Sequence, residues 1–270
     1  MSNQARGPRV TGATTAAPRR RSPIVTVIAL LIVIAVVAAA AGLAYLYLRP
    51  APPAAVGSAS EAPGSSGAAA TIGALPSGAT ETLGPGGLAG TWTVDQTIGR
   101  FTDFSDSFVG YRVDETLASN RANTAVGRTP QVTGTLTLAG TQITAVDITA
   151  DLTRLTSDDQ RRDGQLRNQA LETSLFPQAT FKLTSPIDLG TLPADGQTIS
   201  ATATGDLTLH GVTKRVQIPV RAQLSGDVVT VTGSLDIAFA DYQIQEPVSF
   251  AILSIEDHGI MEFQLHFRHD

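Results

Sequence analysis

From residue 91 onward, apolar residues recur at every second position. In "TISATATGDLTL" (198–209), Ile199, Ala201, Ala203, Gly205, Leu207 and Leu209 share a parity, and in "VTKRVQIPVRAQL" (212–224) so do Val216, Ile218, Val220, Ala222 and Leu224. Successive side chains of a strand point to opposite faces, so each run predicts a strand with one apolar face. The same alternation predicts strands at 131–138, 141–149, 228–239 and 259–267, with shorter ones at 92–95, 107–115 and 179–184. Short turns such as Ala139-Gly140 and Ser225-Gly226-Asp227 join neighbours, which implies antiparallel pairing. About 180 residues burying one face of eight or nine strands close most simply into a barrel. The fold class expected is therefore all-β, an antiparallel barrel.

One segment departs from period two. "SDDQ" (157–160) reads as a capping box, and 158–173 behind it has helical composition with sparse apolar residues, mainly Leu166, Ala170 and Leu171. A short, partly exposed helix over the barrel is expected there, weakened by Gly164.

The first ninety residues follow other patterns. Residues 24–48 form an uncharged apolar run, preceded by Arg19-Arg20-Arg21 and carrying Tyr45 and Tyr47 near its end. As a helix it reaches about 37 Å, enough to cross roughly 30 Å of hydrocarbon with some tilt. The arginine excess predicts a cytoplasmic tail (1–23), a single transmembrane helix (24–48), and an extracytoplasmic remainder at the cell membrane. The alternative is a cleaved leader with Ala39-Ala40-Ala41 at its cleavage site, which gives a secreted protein. Residues 49–89 are rich in Ala, Gly, Pro and Ser and read as a structureless linker, leaving 90–270 as the folded domain. Forty such residues have an end-to-end distance of about 35 Å.

Charge sharpens this division. Residues 1–60 contain no Asp or Glu, whereas from Gly90 onward 13 Lys+Arg face 22 Asp+Glu, a net of −9. An acidic body argues against nucleic acid as a partner. The absence of cysteine excludes disulfides, thiolate metal sites and thiol nucleophiles.

Candidate chemistry centres on His210, between two alternating strands. His210-Gly211 fits a two-residue hairpin loop, which needs positive φ at both positions. A catalytic histidine also needs a nucleophile and an orienting carboxylate. The chain has no G-x-S-x-G elbow and no H-E-x-x-H motif, so no enzyme activity is expected. His258 stands alone, and His266 and His269 point to opposite faces of a strand near an end expected to fray, so no metal or cofactor is expected. Arg162-Asp163 reads as a solvated helix face or as a pair orienting a polar head at a barrel mouth. Lys214 marks either the end of the buried face or a rim cation whose stem lies on apolar surface.

These runs resemble a known family. "GDLTLHGVTKRVQIPV" (205–220) is similar to the G-x-L-T-L-H-G-V-T-[KR] signature of YceI-like domains, and "RRDGQLRNQALETSLFPQATFKLTS" (161–185) to their R-D-x-x-L…F…P-x-A-x-F segment. "WTVD" (92–95) and "FADYQI" (239–244) follow in the expected order, although Asp241-Tyr242-Gln243-Ile244 stands where many members have D-F-G-I. The resemblance implies an extended, lipocalin-like barrel whose interior holds an isoprenoid or other long-chain lipid. Leu207, Leu209, Val216, Ile218 and Val220 are then the lining candidates, with Phe181 and Phe239 as aromatic walls and Arg162, Asp163 and Lys214 at the mouth. The same residues could fill a packed core in a structural or adhesive envelope module, and a lipid or cell-wall ester hydrolase is the third reading. The sequence sets no oligomeric state.

Overall fold

The alternating runs pair as antiparallel strands throughout. A computed structural model describes residues 34–37, 51–56, 87–247 and 252–270. Its strands are β1 (Gly90–Val94), β2 (Phe108–Leu117), β3 (Ala122–Thr129), β4 (Val132–Ala139), β5 (Gln142–Asp151), β6 (Thr156–Ser157), β7 (Gln178–Leu183), β8 (Ile187–Asp188), β9 (Thr198–Leu209), β10 (Val212–Ser225), β11 (Val228–Ala238), β12 (Ile252–Ile255) and β13 (His258–His269). Eight of them close a ring in the order β1-β4-β5-β7-β9-β10-β11-β13, and β13 returns to β1 through Trp92 opposite His269. The fold is thus a closed eight-stranded antiparallel barrel with one short helix.

β13 is longer than its partner β1. Its C-terminal end pairs with β1, while Ile260 to Gln264 pair with β2, which continues outward to β3 and β6 as a flange beside the ring. The sequence pattern missed β3, because "ANTAVGRT" mixes polar and apolar residues without strict alternation.

His210 and Gly211 form the expected two-residue turn, with φ of 51° and 74°. The helix, α1, spans Gln160–Gln165 and widens into a π-type turn over Leu166–Ala170, ending earlier than expected. Its cap is Asp159, whose carboxylate accepts from the Arg161 amide, and not Ser157. The chain end also differs from expectation. His266 does not fray: it pairs with Thr230 in the β11–β13 ladder and is 1% exposed.

The chain divides into two compact units, Met1–Ala51 and Pro52–Asp270. In the first, residues 34–37 are helical, and the rest of the expected 24–48 span lies outside the described residues, as does most of the 49–89 linker. No helix among the described residues is long and apolar enough to cross a membrane.

Candidate functional site

The inward parity of the ring lines a cavity of about 160 Å³. Ile199, Ala201, Ala203 and Leu207 of β9 meet Ile218, Val220, Ala222 and Leu224 of β10, and Phe263, Leu265 and Phe267 of β13 close the wall. Among the described residues, Trp92 and Thr180 are the only lining ones with a polar nitrogen or oxygen in the side chain, and the Trp92 indole N–H donates to Leu88 O at 3.0 Å. Phe181 obtains its place through a glycine: its ring lies across Gly205 on the neighbouring strand, where a β-carbon would fall 2.4 Å from the ring.

A second cavity of about 140 Å³ adjoins the first, and the two share Val109, Ala179, Leu207 and Met261 in their walls. It lies between the flange, α1 and the segment around Ile244, with Leu166, Ala170 and Leu171 covering it from the helix side. Unlike the first, it has a polar end. Arg162 Nη2 donates to Glu115 Oε1 at 2.9 Å, Asn123 donates to the same oxygen at 2.7 Å, and Arg162 Nη1 reaches Asp158. Glu115 is buried, and Tyr111 stands beside this pair. Among the described residues, the Tyr111 hydroxyl and Arg162 Nε are buried without hydrogen-bond partners. Burial pushes the Tyr111 phenol well above its ordinary pKa, so it remains a neutral donor.

The residues singled out from sequence are distributed over this lumen and its ends. Phe181, Leu207, Ile218 and Val220 line the first chamber, and Leu207, Leu209, Phe239 and Arg162 the second. Three stand elsewhere. Val216 packs with Ile237 and Tyr242 at the ring's end. Asp163 turns away from the lumen to accept from the Ser157 amide (2.9 Å) and hydroxyl (2.6 Å), pinning α1 to β6. Lys214 pairs with Asp241 and lies over the Tyr242 ring. Sequence reasoning missed Tyr111 and Glu115, because β2 mixes polar and apolar residues on both faces. It also missed Met261, Phe263, Leu265 and Phe267, although the parity of "GIMEFQLHF" marks them as one face.

The outward face of β13 carries a separate polar layer of buried Glu262, Gln264 and His266, the last two lying under the segment that leads into β2. His266 Nδ1 meets Thr230 Oγ1 and its Nε2 meets Ser105 O, both at 2.9 Å, and burial lowers its pKa. His210, expected as a plain turn residue, is also buried: Nδ1 lies 3.0 Å from Tyr242 O, Nε2 3.1 Å from Glu172, and the ring packs edge-on against Phe176. Glu256, Asp257 and His258 bring potential ligand atoms within 4.8 Å of one another at the surface.

The family model for the YceI-like domain matches residues 92–267, from β1 to the last turn of the ladder. The chain belongs to the YceI-like family. It is 30% identical over 120 residues to a UPF0312 protein of Vibrio parahaemolyticus, covering 42% of this chain and 60% of that protein. Against Protein YceI of Escherichia coli O157:H7 it is 37% identical over 83 residues, covering 30% of this chain and 39% of that one. The aligned regions thus span less than two thirds of these relatives. Among solved structures, a polyisoprenoid binding domain from Saccharophagus degradans superposes with a TM-score of 0.51 at 20% identity, over 67% of this chain and 99% of that domain. This likeness supports the YceI-like barrel as the fold of residues 92–267.

Proposed function

We propose that this YceI-like protein is a non-catalytic binding protein that holds a long-chain lipid of the polyisoprenoid class in its barrel. It is tethered at the extracytoplasmic side of the cell membrane by residues 24–48. The observation that carries the reading is the pair of adjoining apolar cavities, the second of which has a polar end. Each chamber is about the size of an apolar cavity that admits one benzene-sized molecule, ~150 Å³. Two adjoining ones suit a slender chain better than a bulky ring system. Each five-carbon unit withdrawn from water contributes on the order of 4 kcal/mol at ~0.8 kcal/mol per methylene. The tail therefore supplies affinity, and the polar end sets register. The S. degradans domain, described as polyisoprenoid binding, supports this ligand class.

The polar end further selects a neutral head. Arg162 is already flanked by Glu115 and Asp158, so a phosphate or carboxylate placed there would meet two carboxylates around one guanidinium. The donors left over, the Tyr111 hydroxyl and Arg162 Nε, suit an uncharged oxygen such as a hydroxyl or carbonyl.

Trp92, the chain's one tryptophan, lines the first chamber and reports directly on occupancy. Titrating the full-length protein in detergent with a long-chain prenol should give a saturable change in Trp92 fluorescence. The corresponding prenyl phosphate should bind about tenfold more weakly, a difference of ~1.4 kcal/mol. Tighter binding of the phosphate would overturn the neutral-head assignment, and no saturable response to either compound would overturn the binding function itself.

A further inference from the structure

Outside the barrel, on the face of β13, β2 and β3 that points away from the lumen, two arginines converge on one carboxylate. Glu262 is 1% exposed. Its Oε1 accepts from Arg128 Nε (2.9 Å) and Nη2 (2.6 Å), and its Oε2 from Arg112 Nε (3.0 Å). Arg128 lies between the rings of Phe104 and Phe108, 4.3 Å from each centroid. The neighbouring strand leaves room for this arrangement. Gly110 stands opposite both Glu262 and Arg128, and a β-carbon there would fall 2.6 Å from Arg128 Cγ.

Two guanidinium groups against one carboxylate leave unspent donors and one excess positive charge. A short piece of chain from before the folded domain occupies them. The Pro53 carbonyl accepts from Arg112 Nη2, the Ala54 carbonyl from Arg128 Nη2 at 3.1 Å, and the Val56 amide donates to Glu262 Oε2 at 3.2 Å. Every one of these contacts is to backbone. The seat holds main-chain atoms of the "PPAAV" segment (52–56).

We propose that this seat is an intramolecular clamp that takes the start of the Ala/Gly/Pro/Ser segment out of the tether. The inference rests on the membrane-tethering reading above for its consequence, though not for the clamp itself. Without the clamp, the tether from the apolar run to β1 is about forty residues, with an end-to-end distance of ~35 Å. With Pro53 seated, only residues 49–52 separate that run from the barrel, and four residues span at most ~14 Å when fully extended. The chain after Val56 then no longer sets the reach of the domain. The tether leaves from the Arg112–Glu262–Arg128 flank.

Two paired insertions separate the alternatives in the full-length protein reconstituted into phosphatidylethanolamine/phosphatidylglycerol vesicles. A donor dye on Lys182→Cys and acceptor-labelled headgroups report the distance of the domain from the bilayer; Lys182 is 72% exposed and the chain has no other cysteine. Ten Gly/Ser residues inserted between Pro50 and Ala51 should reduce energy transfer, whereas the same insertion between Gly57 and Ser58 should leave it unchanged. Equal losses from both insertions would overturn the clamp. Failure of the protein to bind vesicles at all would refute the tethering reading and leave the clamp to a second measurement. A spin label on Ala54→Cys, whose side chain is exposed, should give an immobilised spectrum that Arg112→Gln converts to a mobile one. A mobile spectrum in the parent protein would overturn the clamp whatever the membrane result.

Discussion

His210 shows how a residue can be read correctly and incompletely at once. Its left-handed backbone is the turn that two flanking alternating strands demand, and that much is legible locally. Its ring partners are not, because Tyr242 and Glu172 lie 32 and 38 residues away in sequence. Replacing His210 with Asn should keep the turn, since Asn-Gly is itself favoured there. It should nevertheless cost about 1–2 kcal/mol by removing one buried and one half-buried hydrogen bond, read as a lower denaturation midpoint. Asp106 offers a test through pH. Burial raises its pKa to about 6 from an ordinary 3.8, and one carboxylate oxygen has no hydrogen-bond partner among the described residues. The folded state therefore binds this proton more tightly than the unfolded chain. Its contribution favours the fold below about pH 4 and is lost as pH rises through about 6, a change on the order of 2–3 kcal/mol. Asp106→Asn should accordingly raise the melting temperature at pH 8 and leave it nearly unchanged at pH 4. An equal shift at both pH values would count against this assignment.

Among the elements, strands that alternate strictly could be placed together with their lumen face, whereas the mixed ones could not: β2 was expected as a strand over 107–115 without its faces, and β3 was missed. β9 and β10 face the lumen on the expected parity, because on each strand the inward residues are mostly apolar and mostly more buried than the polar residues beside them. β2 and β3 belong to a flange with lumen residues on one face and the Arg112–Glu262–Arg128 cluster on the other, so both faces carry polar and apolar side chains and no period emerges. Glu115 and Tyr111 of the polar end lie on β2 and were missed with its faces, whereas Arg162, on α1, was read as a mouth candidate. The β7–β9 pairing makes its own prediction. An alanine at Gly205 would bring a β-carbon to 2.4 Å from the Phe181 ring and 2.5 Å from Lys182 O. Backbone cannot yield as a side chain can, so Gly205→Ala should destabilise by about 1–3 kcal/mol in chemical denaturation. It should also weaken prenol binding, by moving Phe181 within the first chamber.

At the scale of the whole molecule, the closed ring explains why the apolar strand faces amount to a lumen and not simply a core. The sequence supplied the parity and the family resemblance. It could not show that the second chamber adjoins the first, since its walls come from β2, α1 and the segment around Ile244, which only the fold brings together. The central claim is that this lumen holds lipid, and mass spectrometry of the full-length protein purified gently from its native membranes tests it most directly. The wild type should carry a long-chain isoprenoid at close to one per barrel. Ile218→Trp, which adds volume inside the first chamber, should lose it, and Gln217→Trp on the exposed parity of β10 should retain it. A wild type that carries no lipid, or an Ile218→Trp variant with undiminished lipid, would contradict the account.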